Sequence, residues 1–454
     1  MKKPERAPSL AEVFSSQDTV KDLLRVPSSS IATIPEYIHW DKLRRRKLQE
    51  GVTHMQMWGR LKLDRAGSLK PIPLLGTDGL PFQFCVPSSV QEALHKIDSG
   101  GGGWISFPEQ ITNPQTRDRY LIRSMIEESI TSSQLEGAAT TREVAKELIR
   151  TNRAPQTKGE QMIVNNYATM QKIKALKDEK LTPDMVFGIH REVTFKTLKD
   201  ESKAGTFRSA DDNVYVGDDY GEVFHEPPHA STLEHRLDQM CAFANGDTPG
   251  FFIHPVLRAI MLHFWLAYDH PFVDGIGRTA RALFYWKMLN HGYWLFEYIS
   301  ISQILLKAPA KYYRSFLYTE TDENDLTYFV DAQTRVIQKA ILDLHDYLDR
   351  KTKEFQDALA YIRGKQHFNH RQIDLLRHAL KHPYHRYTIQ GHMRSHGIVY
   401  QTARTDLLEL NEMGLVTKSK LGRALTFTPM DDIQERLREL GKGRQPAQKR
   451  MDGK

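Results

Sequence analysis

Apolar residues recur at helical spacing along most of this chain. Leu121, Ile122, Met125, Ile126 and Ile130 repeat every three or four positions, and Gly137 supplies a stop after them. Thr140 with Glu143 then reads as a capping box that opens another helix. The same period predicts helices over 161–176, 182–198, 233–245, 255–268, 278–290, 311–320 and 325–355. The exception is 206–224, where Val214, Val216 and Val223 flank Gly217 and Gly221 in the pattern of a hairpin. The middle of the chain is therefore predicted to be mainly α with one small β element.

After Gly364 the pattern changes. A helix over 372–380 is followed by a second over 389–395, a turn at Gly397, and a third over 400–412 that turns Ala403, Leu407 and Leu410 inward. Two short strands around Gly422 complete the order of a winged helix-turn-helix domain. Residues 1–30 are polar and read as loosely ordered, and 34–107 is rich in Trp, Pro and Gly without recognisable chemistry. The predicted domains are an accessory region over 1–110, a helical body over 111–360, a winged helix-turn-helix over 365–430 and a flexible basic tail over 431–454.

Charge sharpens this division. The chain has 454 residues and net charge +7, and from Gly364 onward 17 Lys and Arg stand against 9 Asp and Glu. The excess sits in the last fifth, which suits a polyanion such as DNA. Tyr400, Gln401 and Arg404 on the third helix, with Lys418, Lys420 and Arg423 on the wing, are the candidate DNA contacts; a protein-docking or dimer role for the same module is left open. The seven histidines between His367 and His396 lack cysteine partners and consistent spacing, so they are expected at the surface rather than on a metal. No apolar run reaches a bilayer span and the start has no apolar signal core, so a cytoplasmic protein without a membrane partner is expected. Two cysteines, Cys85 and Cys241, cannot build a disulfide scaffold.

The stretch richest in chemistry is His270-Pro-Phe-Val-Asp274-Gly275-Ile276-Gly277-Arg278-Thr-Ala-Arg281. It joins two apolar helices, so its glycine loop lies at a helix N-terminus, where backbone N–H groups suit a phosphate. Asp274 could hold a Mg²⁺ that bridges phosphates, Arg278 and Arg281 could neutralise departing charge, and His270 could take a proton from an attacking hydroxyl. His263, among Phe264, Trp265 and Leu266, reads as a hydrogen-bonded core histidine, and His254-Pro255 as a helix start.

These residues resemble the Fic family signature H-P-F-x-[D/E]-G-N-G-R-x-x-R, with Ile276 in the place of the family's Asn. Three further stretches resemble the family's parts. Gly205–Val216 is similar to the flap along which a target segment docks, with Asn213, Val214, Tyr215 and Val216 as its candidate residues. Lys311-Tyr312-Tyr313-Arg314 is similar to the segment beside the adenine, through Tyr312 and Tyr313. Ser132 to Gly137 matches an inhibitory motif, [S/T]-x-x-x-[E/D]-[G/N], through Ser132, Glu136 and Gly137.

The resemblance implies a mainly α Fic core with a small β-hairpin flap, followed here by the winged helix-turn-helix. It implies transfer of AMP from ATP to a Ser, Thr or Tyr hydroxyl of a target protein or of the chain itself, with Mg²⁺ as cofactor. His270 would be the base, Asp274 the metal ligand, and Gly275, Ile276 and Gly277 the anion-binding backbone, with Arg278 and Arg281 on the outer phosphates. Glu136, paired with Arg281, would be a brake. Hydrolytic removal of AMP, and a nucleotide-sensing DNA-binding regulator, remain alternatives, and a homodimer is left open.

Overall fold

The computed structural model describes residues 2–15, 20–27, 31, 34, 37–101, 114–151, 153–217, 221–364, 368–382, 385–421, 424–430 and 432–441. It divides into two compact units, the first from Met1–Ile105 and Leu121–Leu342, the second from Ser106–Tyr120 and Asp343–Lys454.

In the first unit the opening residues, expected to be loosely ordered, include two short helices, α1 (Leu10–Ser15) and α2 (Val20–Leu24). Val13 and Leu23 explain the difference, because both are fully buried against Trp58 of α4 (His54–Ala66), which follows the single turn α3 (Trp40–Leu43). Two cations on α4 are also buried. Lys62 pairs with Asp322 at 2.8 Å, and Arg65 donates to the Tyr328 hydroxyl and to the Ile38 carbonyl, both at 3.0 Å. An antiparallel hairpin, β1 (Lys70–Leu75) with β2 (Pro81–Phe84), leads into α5 (Ser88–Gly101).

The helical body contains α6 (Pro114–Leu135), α7 (Arg142–Thr151), α8 (Lys158–Ala175), α9 (Pro183–Thr194), α10 (Leu233–Asn245), α11 (Pro255–Asp269), α12 (Ile276–Asn290), α13 (Ile301–Lys307), α14 (Pro309–Glu320) and α15 (Thr327–Gly364). At its centre α11, apolar on nearly every side, packs on α12, with Ile260, Leu262, Phe264, Leu283, Phe284 and Trp286 at most 1% exposed. A helix apolar all round belongs in a core, and burying each such side chain contributes roughly 1.5–3 kcal/mol.

Two local expectations are corrected. The cap of α7 is Thr141, not Thr140: the Val144 N–H donates to the Thr141 hydroxyl at 3.4 Å, while the Thr140 carbonyl accepts from the Gln134 side chain. The flap hairpin is shorter than its sequence pattern, since β3 (Val216–Gly217) pairs antiparallel with β4 (Val223–His225) and Asn213, Val214 and Tyr215 precede the strand. The Asp212 carboxylate accepts from the Ser209 N–H, the Ser209 hydroxyl and Lys203, all within 2.8 Å. That set of local bonds holds a turn in competition with a ladder.

In the second unit, α16 (His370–Lys381), β5 (Tyr387–Thr388), α17 (Ile389–His396), α18 (Tyr400–Glu412), β6 (Val416–Leu421), β7 (Ala424–Pro429) and α19 (Ile433–Gly441) follow in chain order, with the strands arranged β5-β7-β6. Leu376, Ala379, Ala403, Leu407, Leu410 and Phe427 are fully buried in their common core. Gly397, at φ +59°, makes the left-handed turn between α17 and α18. His392 departs from the surface expectation, being 6% exposed with its Nε2 at 3.1 Å from Asp406. Arg371 and Asn369 also bond that carboxylate, and a charged partner is what makes a buried histidine affordable.

Among the described residues no helix is long and apolar enough to cross a membrane. Cys85 and Cys241 are both free and buried.

Candidate active site

The signature begins where α11 ends. His270 is its C-cap, in the left-handed region at φ +47°, and its N–H still donates to the Leu266 carbonyl at 3.1 Å. A non-glycine residue there is strained by about 1–3 kcal/mol, and it turns the chain sharply out of the helix. The His270 Nδ1 lies 3.2 Å from the Ala267 carbonyl. With that proton on Nδ1, Nε2 is left as an acceptor. Burial lowers the His270 pKa to about 4, so the ring is neutral at pH 7.

The loop closes at Gly275, the N-cap of α12, at φ +80°. A side chain there would be strained in backbone and would meet Thr194 at 2.5 Å. Two residues outside the signature, His190 and Arg208, hold this loop. His190 bonds the Asp274 carbonyl through Nε2 and accepts from the Gly205 N–H through Nδ1, both at 2.9 Å, while its ring stacks on Phe272 at 3.8 Å. Both nitrogens are thus committed in the neutral form, and burial lowers its pKa to about 4. Arg208 donates to the His270 carbonyl at 2.7 Å and to the Pro228 carbonyl, and its own N–H donates to Pro271 at 2.9 Å.

Beyond the loop, the two arginines are almost wholly buried. Arg278 donates through Nη1 to the Val193 carbonyl at 2.8 Å, and its Nε and Nη2 have no hydrogen-bond partner; Nη2 is 3.8 Å from Asp274. Arg281 donates through Nε to the Ser132 hydroxyl at 2.8 Å, and through Nη2 to the Ser132 carbonyl and the Glu136 carboxylate at 2.9 Å, leaving Nη1 unpartnered. Three orphaned guanidinium donors therefore converge on one helix start. Unpaired buried donors of this kind fit an anion, since each left unmet costs about 1–3 kcal/mol.

Glu136 lies over the same helix start. A Cβ on Gly277 would come within 2.0 Å of its Oε1, so a side chain there would push the carboxylate aside. Gly137, at φ +87°, ends α6 directly behind. About two turns before its end α6 is fastened by Glu128, which no sequence motif marks. Its fully buried carboxylate accepts from the Tyr285 hydroxyl at 2.9 Å, the Ser300 hydroxyl at 2.8 Å, and the Ser302 N–H and hydroxyl at 3.1 and 2.5 Å. Burial raises its pKa against those donors.

The remaining candidates are spread around this centre. Ile276 opens α12 with its side chain packed inside at 7% exposure, so only its backbone is available to an anion. The Asp274 carboxylate is 46% exposed, with Lys158 at 3.9 Å. Tyr312 is buried and its hydroxyl bonds His263 at 2.8 Å, while Tyr313 is 40% exposed and its pKa is raised by burial first and by Glu136 next. Among the flap candidates only Val216 is in a strand, opposite His225, and Tyr215 is 56% exposed. In the second unit Tyr400, Gln401, Arg404 and Lys418 are all exposed. The Lys420 side chain, Arg423 and residues 442–454 lie outside the described residues, whereas 433–441 of the tail expected to be flexible over 431–454 form α19, because Ile433 and Leu437 are buried in the core of the second unit.

Residues 180–288 of this chain match the Fic/DOC family model. The chain is 29% identical over 203 residues to the protein adenylyltransferase Fic of Nematostella vectensis, covering 42% of this chain and 43% of that protein. With the protein adenylyltransferase Fic of Aedes aegypti it shares 33% identity over 117 residues, 26% of this chain and 21% of the relative. The matches thus span less than half the length of these curated relatives. A solved Fic family protein from Desulfovibrio desulfuricans G20 superposes with a TM-score of 0.51 at 17% identity, over 76% of this chain and 97% of that one, a likeness of fold.

Proposed function

We propose that this chain is a protein adenylyltransferase held back by its own Glu136. The observation that carries the reading is the set of orphaned donors on Arg278 and Arg281 beside Gly275–Gly277, with His270 at the start of the same loop and its Nδ1 held by the Ala267 carbonyl. ATP would place its phosphates at the start of α12. A target hydroxyl attacks the α-phosphorus, its proton passes to the His270 Nε2, and the bond to the β-phosphate oxygen breaks to release pyrophosphate. Asp274 fits a Mg²⁺ as one carboxylate of a shell completed by phosphates and water, and the ion would supply charge neutralisation on the leaving phosphates. Among the described residues no group of three or more His, Cys, Asp or Glu forms a closed metal cage, which suits such a substrate-borne ion.

Glu136 takes the place an outer phosphate needs. It binds Arg281 and sits over Gly277, so a phosphate oxygen there meets both a missing partner and a like charge. The exposed edge at Val216 is the surface we assign to the target segment, added as a strand. The second unit has the element order of a winged helix, and the exposed Tyr400, Gln401, Arg404 and Lys418 suit DNA, with the recognition helix α18 in a groove.

The test is incubation of the purified chain with α-labelled ATP and Mg²⁺. Label transferred to protein supports the reading. AMP released from a modified protein instead, without transfer, would make Glu136 a water-activating group and the chain a hydrolase. Neither outcome, with a specific DNA shift, would leave a nucleotide-sensing regulator.

A further inference from the structure

A second cavity lies in the first unit, lined by none of the twelve signature residues. Its volume is about 550 Å³, within the range of sites for a molecule of mononucleotide size. One wall is the face of α14 that carries Lys311, Tyr312, Arg314 and Tyr318; the first turns of α15 form another, and the segment from Tyr37 to Lys42 closes it. Tyr313, which feels Glu136 and Arg281, is not among its lining residues.

The lining is cationic and aromatic. Arg335 is neutralised by Asp331 at 2.9 Å, but among the described residues no carboxylate pairs with Lys42, Lys311 or Arg314. His39, stacked on Tyr318 at 4.3 Å between ring centres, adds no charge at pH 7, because burial lowers its pKa to about 4. Donors without acceptors are built into the wall: the Gln333 amide nitrogen and the Arg314 Nε are buried and without a hydrogen-bond partner, and the buried Tyr318 hydroxyl faces the Arg314 guanidinium. Gln333 is 3% exposed and Tyr318 7%. The exposed Lys42 and Lys311, the Arg314 guanidinium, the aromatic rings and the orphaned Gln333 amide ask for one occupant that is anionic, rich in acceptors and bears a planar ring.

We propose that this cavity is a second ligand site, separate from the signature loop, that takes a nucleoside phosphate. The Lys42, Lys311 and Arg314 cations hold its phosphates, and Tyr312 and Tyr318 flank its ring. The proposal does not depend on transfer chemistry, because its test reads binding alone.

Calorimetric titration of the full chain with ADP, pyrophosphate and adenosine tests it, in an Arg281→Ala background that weakens the signature loop. The expected result is ADP binding that Lys42→Glu or Ala332→Trp weakens at least tenfold, with pyrophosphate and adenosine each much weaker than ADP. No heat with ADP, or heat indifferent to both cavity substitutions, overturns it. Adenosine binding as well as ADP overturns the anionic assignment, and pyrophosphate binding as well overturns the ring. Should Arg281→Ala fail to fold, wild-type chain photolabelled with 2-azido-ADP decides. Label on the peptides holding Lys42 or Ala332 supports the second site, and label confined to the signature loop removes it.

Discussion

Around α12 the first unit keeps its polar chemistry inside: Glu128, His190, Arg278 and Arg281 are at most 1% exposed, each tied to a carbonyl, a hydroxyl or a carboxylate. In the second unit α18 does the reverse, turning Ala403, Leu407 and Leu410 into an apolar core and leaving Tyr400, Gln401 and Arg404 in solvent. The difference follows from what each would handle. Charge that must act on a reacting phosphate gains from exclusion of water, whereas side chains that must reach a large partner have to project from a surface. Disturbing the first unit should therefore alter chemistry and stability together, and disturbing α18 should alter affinity alone.

The largest contrast is expected in acid. His39, His190 and His270 have pKa values lowered to about 4, and His263 to about 3, all by burial before any other cause. Their folded values lie below the unfolded value near 6.5, so their contribution is fully present above pH 6.5 and is lost as pH falls toward 4. By pH 5 each costs about 2 kcal/mol of stability. His225 works in the opposite sense: burial opposes its charge, but Glu320 outweighs burial and raises its pKa. Hydrogen exchange followed from pH 7.5 to 4.5 should show the first unit losing protection before α16–α18, and the reverse order would break the comparison.

Next in size, His270→Ala should lower AMP transfer by roughly 10²–10⁴-fold with nucleotide binding retained. Undiminished labelling would remove His270 as base. Ile276→Asn should lower unfolding stability by about 1–3 kcal/mol, because the new amide enters an apolar pocket; an unchanged melting temperature would show that the amide finds a phosphate-side partner. Glu136→Gly should raise self-labelling on the order of tenfold by freeing Arg281, and equal labelling of the two proteins would discard the brake. The smallest effects belong to α18 and β6. Arg404→Ala should cost about 1–3 kcal/mol of discrimination between DNA sequences, while Lys418→Ala weakens all sequences alike and reduces the salt slope by about one. Gel shifts at two salt concentrations separate these outcomes, with transfer unaffected by either.

What the sequence discloses depends on whether a function is packed into neighbouring residues. His270 to Arg281 is contiguous, so its chemistry can be listed in one reading. Its supports are not contiguous: His190 lies 84 residues from the Asp274 carbonyl it holds, and Glu128 lies 157 from Tyr285. The available signal was a polar residue on an apolar helix face, as with His190 between Val186, Ile189 and Val193, or Glu128 beside Met125 and Ile126. The opening region hid its order for a related reason. The buried face of α4 includes Lys62 and Arg65, whose partners Asp322 and Tyr328 lie about 260 residues on, and so no apolar period announces the helix. The flap was legible in place but not in length, because the side-chain bonds of Asp212 cannot be weighed against a ladder from composition alone.

Two carboxylates, Glu128 within α6 and Glu136 just past its last residue, hold the end of that helix. Glu128 is bonded by four donors, and Glu136, eight residues or about 12 Å further along, touches the Arg281 guanidinium. Because Ser132, between them, also bonds Arg281, loosening Glu128 should reach that guanidinium through one turn of helix, from a residue that itself makes no contact with Arg281.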